Sequence, residues 1–116
     1  MSTILVVDDE PSIRELVARV LGRRGHRVIV CGSAPEALAV TEAIDLLLVD
    51  LVLPEMNGYD LTEALRRRSP NLPVVLMSGF LSDEALMPPP PSVFLQKPMF
   101  PAAVTQAVEG LLAIAK

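Results

Sequence analysis

Residues 4–10 read ILVVDDE: four apolar residues with no polar alternation, running straight into three acids. An uninterrupted apolar run this short suits a strand covered on both faces by helices. The same grammar recurs along the chain. Apolar runs at 46–49 and 74–77 and a shorter one at 93–95 lack alternation, and 28–31 is a mixed fifth. Between them lie segments of helical spacing. Ile13, Leu16, Val17, Val20 and Leu21 follow Pro11 and precede Gly22 and Gly25, the order expected of a helix start and stop. Ser33 and Glu36 suggest a capping box for a second helix through Val40. Leu61, Ala64 and Leu65 mark a third that ends before Pro70. Val104, Ala107, Val108, Leu111 and Leu112 mark the last. Strand and helix alternate, so the expected architecture is a doubly wound α/β fold: five parallel strands with helices on both faces.

The 116 residues suit one domain over 1–116. With three Phe, one Tyr and no Trp, its core must be built from Leu, Val, Ile and Ala. A net charge of −4 argues against direct nucleic-acid binding through a general basic surface. The arginines at 23, 24 and 27 and at 66–68 read as solvated helix ends. His26, in a glycine-flanked turn, reads as a surface residue. The single cysteine, Cys31, excludes an internal disulfide, reads as a small buried residue and fits a reducing cytoplasm. No apolar stretch is long enough to insert into a membrane.

Ligands of doubly wound sheets sit beyond the carboxyl ends of the strands, and the chemistry-bearing residues are there. The first strand runs into Asp8, Asp9 and Glu10, the third ends at Asp50, the fourth at Ser78 and the fifth at Lys97. Each alone has an ordinary reading as helix cap, turn hydroxyl or surface lysine. Together, crowded carboxylates need a positive guest, and Mg²⁺ accepts a carboxylate or two, a carbonyl, waters and a phosphoryl oxygen. A carboxylate could then act as nucleophile toward phosphorus.

The series ILVVDDE, LLLVDLVLPEMNGYDL, VVLMSG and VFLQKP resembles the receiver domain of two-component response regulators over essentially the whole chain. The resemblance implies a flavodoxin-like strand order, 2-1-3-4-5. It makes Asp50 the phosphoacceptor, charged by a histidine kinase or a histidine phosphotransfer domain. Asp9, Asp50 and the Val52 carbonyl would hold Mg²⁺ (or Mn²⁺) directly, with Asp8 acting mainly through water. Ser78 would bind the phosphoryl group and switch inward with Phe94, which reads equally as a plain core aromatic. Lys97 would neutralise a phosphoryl oxygen, ahead of a cis bond to Pro98. Partner docking falls on Ile13, Pro98, Met99 and Phe100, with an exposed Met99 or Phe100 as apolar anchor. Such a domain catalyses its own phosphorylation and slow dephosphorylation without being a turnover enzyme. Apolar Val52 and Phe80 imply a slowly hydrolysed phosphoaspartate.

Between Ser78 and Lys97 the sequence departs from an ordinary receiver. Four prolines, 88–91, bar any helix through them, leaving SDEALM at 82–87, capped by Ser82, as the helical candidate. The helix after the fourth strand is therefore expected to be short or missing, with the prolines running on as solvated, extended polyproline. That loss removes the usual output and dimerisation face and leaves the oligomeric state open. It points to a phosphorelay or a hybrid histidine kinase, tethered to the membrane in a longer protein, rather than to a DNA-binding regulator. Two rivals remain: a haloacid-dehalogenase-like Asp phosphatase, which lacks its second acid two residues after Asp50, and a receiver-like adaptor that works unphosphorylated.

Overall fold

The computed structural model describes residues 2–79 and 87–114. In chain order the elements are β1 (Thr3–Val7), α1 (Pro11–Arg23), β2 (Arg27–Cys31), α2 (Ala34–Leu38), β3 (Leu46–Asp50), α3 (Gly58–Arg68), β4 (Val74–Ser78), β5 (Ser92–Gln96) and α4 (Pro101–Ile114). The strands are all parallel and ordered β2-β1-β3-β4-β5, as expected. Every residue of the central strands β3 and β4 is buried, whereas the edge strands β2 and β5 are largely half-exposed.

Local chemistry sets the helix ends. Pro11 opens α1, where its missing N–H costs no bond. Gly25, at φ +86°, closes it: Gly25 N–H donates to Gly22 and His26 N–H to Leu21, the paired bonds of a Schellman ending. Ser33 caps α2 by accepting from Glu36 N–H at 3.4 Å. The Glu36 carboxylate, however, accepts from Gly32 N–H at 3.0 Å, so the box closes one residue early. Asn57 caps α3 by accepting from Asp60 N–H at 2.8 Å. The next residue, Gly58, sits against the backbone of β3: a Cβ there would lie 2.7 Å from the Asp50 carbonyl oxygen. Only glycine fits so close an approach.

Two apolar layers flank the sheet. Leu5, Val7, Leu47, Val49, Val74 and Leu76 point toward α2 and α3. Ile4, Val6, Leu46, Leu48, Val75 and Met77 point toward α1 and α4. Adjacent residues go to opposite layers because side chains alternate along a strand.

Four expectations need correction. The second helix stops at Leu38, before Val40, and Arg68 donates to the carbonyls of Leu38 (2.7 Å) and Val40 (3.2 Å). Arg66 likewise is not merely solvated: it donates to the carbonyls of Leu72, Pro89 and Pro91 at 2.7–3.1 Å. The prolines are therefore not a solvated polyproline rod. They bend at residues 89–91, Ser92 Oγ donates to the Pro88 carbonyl at 2.8 Å, and Val74 N–H donates to that of Pro91. His26 is not a surface residue: its side chain is 11% exposed and pairs with Glu109 at 3.2 Å, beside a two-bond Arg24–Glu109 pair. Among the described residues between β4 and β5, Gly79 and 87–91, none is helical. Ser82, most of SDEALM, and Phe80 lie outside the described residues.

Candidate functional site

Strand order brings the ends of β1 and β3 side by side, with β4 and β5 beyond β3. The hydrogen-bond ladder continues one rung past several strands. Asp8 N–H donates to Cys31, Leu51 N–H to Met77, and Lys97 N–H to Ser78 at 2.7 Å. These rungs fix the backbone from which the functional side chains project. Asp8, Asp50 and Ser78 are buried, at 0%, 6% and 2% exposure.

Asp8 and Asp50 are held by the same device. One oxygen of each accepts the backbone N–H two residues on: Glu10 N–H for Asp8 at 2.9 Å, and Val52 N–H for Asp50 at 3.1 Å. Such turns are a habit of aspartate. The other oxygen of each accepts from Lys97 Nζ, at 2.9 Å in both cases, and Glu10 Oε1 lies 3.3 Å from the same nitrogen. Burial works to lower the Lys97 pKa, but its bonds to Asp8 and Asp50 outweigh that and hold it above its ordinary value. The Asp8 carboxyl is pushed up, chiefly by burial, against the opposing pull of Lys97. Lys97 stays charged and ties the two buried carboxylates together.

Carboxylate oxygens of Asp8, Asp9, Glu10 and Asp50 all lie within 4.8 Å of one another. Asp8, Glu10 and Asp50 share one ammonium with Asp9 beside them, so the acids of the cluster outnumber the cation that pairs with them. Hard oxygen donors in this arrangement, buried at Asp8 and Asp50 and open to solvent at Asp9 and Glu10, fit a cation that keeps part of its water shell. The donor set therefore suits Mg²⁺ well and a soft transition metal poorly.

The structure thus brings Asp8, Asp9, Asp50, Ser78 and Lys97 to one end of the sheet, as the sequence leads one to expect. The Lys97–Pro98 bond is cis. Phe94 is partly buried against the layer beneath α2 and α3. Around the rim, Val52 is 59% and Phe100 74% exposed, and Pro98 is exposed too. Met99 is not an exposed anchor: it is 7% exposed and packs in the layer under α1 and α4, which Ile13 also adjoins. Position 99 thus faces the core and 100 faces outward. Two contacts escape sequence reasoning, the Glu10–Lys97 pair and a bond from Arg14 to the Asp8 carbonyl. Glu10 at least stands in the acidic run. Nothing in the sequence marks Arg14 apart from other helix arginines.

Comparison with known proteins agrees with this geometry. The family described as "Response regulator receiver domain" matches residues 4–109. The chain is 41% identical over 89 residues to the alkaline phosphatase synthesis transcriptional regulatory protein SphR of Synechococcus elongatus, covering 67% of this chain and 35% of that protein. It is 35% identical over 86 residues to the sensor kinase CckA of Brucella abortus, covering 71% of this chain and 9% of that protein. Among solved structures, a response regulator receiver protein from Sinorhizobium medicae superposes with a TM-score of 0.90 at 30% identity, covering 99% of this chain and 97% of the other. The receiver domain of the hybrid histidine kinase CckA gives 0.83 at 31% identity, with 95% and 98% covered. The chain spans about a third of the length of the first curated relatives it matches.

Proposed function

The chain belongs to the response regulator receiver family, and on that premise we propose that Asp50 is its phosphoacceptor, charged from a phosphohistidine on a partner histidine kinase or phosphotransfer domain. The observation that carries this reading is Lys97 Nζ, 2.9 Å from both Asp50 Oδ2 and Asp8 Oδ2. It is a fixed cation at the point where phosphoryl charge would arrive. A carboxylate oxygen of Asp50 attacks phosphorus, the P–N bond breaks, and the imidazole leaves with the bonding pair and takes a proton. The transition state of phosphoryl transfer spreads charge over three equatorial oxygens, so positioned positive charge does most of the catalysis. Lys97 would neutralise one of those oxygens and the Ser78 hydroxyl would donate to another. Bound through Asp8, Asp9, Asp50 and the Val52 carbonyl, Mg²⁺ would offset the charge of the acidic cluster and of the incoming phosphoryl group.

Val52 presents only methyl groups at the mouth, so its side chain cannot orient a water toward the acyl phosphate. A long-lived phosphoaspartate is the expected result. Pro98, Phe100 and Ile13 form the docking rim, with Phe100 as the exposed anchor. We place the domain in a cytoplasmic phosphorelay of the hybrid-kinase kind. The likeness to the CckA receiver and the proline bend at residues 89–91 support that placement.

Incubation with acetyl phosphate and Mg²⁺, read by intact mass, tests the reading. One phosphoryl group should add to the wild type, be released by hydroxylamine, and be absent from Asp50→Asn and from samples treated with EDTA. Steady turnover of p-nitrophenyl phosphate without a stoichiometric adduct would overturn it in favour of a phosphatase.

A further inference from the structure

Asp8 is held on every side in the cleft. Its N–H is taken by Cys31, and its carboxylate by Glu10 N–H and Lys97. Its carbonyl lies beyond the last rung of the sheet, where a buried carbonyl still needs a donor. Arg14 supplies one, reaching back from the first turns of α1 to place Nη1 2.8 Å from that oxygen. Across a planar peptide, the direction of a carbonyl fixes the following N–H and Cα. Holding the Asp8 carbonyl therefore holds the plane from which Asp9 projects. Asp9 is exposed, so its aim depends on its backbone.

Gly32, at the end of β2, makes room for this reach. A Cβ on Gly32 would lie 3.1 Å from Arg14 Nη1 and 3.6 Å from its Cζ. That is tighter than ordinary van der Waals contact, so the guanidinium occupies the space a side chain would fill. The other wall is Glu36, which accepts from Gly32 N–H and whose second oxygen would be 3.8 Å from the same Cβ.

We propose that Arg14 is a positioning residue for the cation cluster, aiming Asp9 through the Asp8–Asp9 peptide, and that Gly32 is the seat its guanidinium requires. The proposal rests on the reading that the cluster takes up Mg²⁺. It also predicts a sign opposite to simple electrostatics. Arg14 is itself a cation near the site, so deleting its charge should by Coulomb's law strengthen Mg²⁺ binding. Loss of positioning should weaken it, and outer-shell partners of metal ligands typically cost 10–100-fold when removed.

The experiment is calorimetric titration of Mg²⁺ alone into the wild type, Arg14→Met, Arg14→Lys and Gly32→Ala. Thermal unfolding of each is recorded without metal. Arg14→Met should bind Mg²⁺ about 10-fold more weakly. Arg14→Lys, which can still donate to the Asp8 carbonyl, should recover part of that loss. Gly32→Ala keeps every charge and only crowds the seat, and it should weaken binding several-fold while remaining folded. Equal or tighter binding by Arg14→Met overturns the proposal. If that variant does not fold, unchanged affinity in Gly32→Ala overturns it instead. A wild type that takes up no Mg²⁺ overturns the functional reading itself, and this proposal with it.

Discussion

On the face of the sheet covered by α1 and α4, Val17 and Leu21 of one helix and Val104, Val108 and Leu111 of the other pack on the strands with almost no exposure. On the opposite face α2 has only five residues, and none of the described residues between β4 and β5 is helical. There, Arg66 and Arg68 reach from the last turn of α3 in two directions. One gathers the carbonyls of Leu72, Pro89 and Pro91, the other those of Leu38 and Val40. Long helices satisfy their own backbone and contribute apolar area. Short or irregular cover leaves carbonyls to be satisfied by side chains, and a guanidinium with five donors suits that task. On this face the arginines at the end of α3 supply donors to carbonyls of the described turns and loops.

Substitutions on each face can break or sharpen this contrast. Leu21→Ala removes a fully buried side chain from the helix-covered face. It should cost about 2–5 kcal/mol in urea unfolding, the largest effect expected outside the cleft. Arg66→Met should cost about 1.5–3 kcal/mol, the range for hydrogen bonds to a charged group, and should speed amide exchange in β5. A neutral Arg66→Met would show that packing of Leu65 and Leu72 alone secures that face, and the contrast would fail. Arg68→Ala, more exposed, should cost about 0.5–1.5 kcal/mol and loosen the end of α2.

The helix-covered face carries a polar tie from Arg24 and His26 to Glu109, whose carboxyl those hydrogen bonds pull down to about 2. A depressed carboxylate stabilises the fold above its ordinary range of 4.5 and loses that effect as pH falls through about 2. The stability difference between wild type and Glu109→Gln should therefore shrink steadily as pH falls from 4.5 toward 2. Smallest of all, Arg67→Ala should stay within about 0.5 kcal/mol of wild type. Its bond, to Glu63 at 3.2 Å, is a surface pair with both side chains 73% exposed. Three successive arginines would then show three different energies, ranked by what each one touches.

The same contrast explains what the sequence could disclose. Asp8, Asp50, Ser78 and Lys97 are legible because each ends an apolar run, and parallel strands must deliver their ends to one side. The cap at Ser33 and the stop at Gly25 are legible because they depend on neighbours a few residues away. The roles of Arg66 and Arg68 are not, since their acceptors lie 6 to 30 residues off, at the end of α2 and in turns beyond other elements. His26 misleads for a similar reason: its partner is 83 residues away on α4. Met99 and Phe100 are adjacent and both apolar, and only the turn after Lys97 decides which of them faces inward.

Gly58 carries a consequence for how such chains can vary. Its N–H donates to the Leu51 carbonyl at 2.8 Å, pinching residues 51–57 shut at their base, directly behind the peptide that bears Asp50. The tip of that loop, at Pro54 and Glu55, is exposed, and a larger side chain there would meet only solvent. The pinch tolerates no such change, because even one methyl group at position 58 would act as a wedge driven from the rear against the Asp50 backbone. Natural diversity should accordingly be almost nil at the root of this loop.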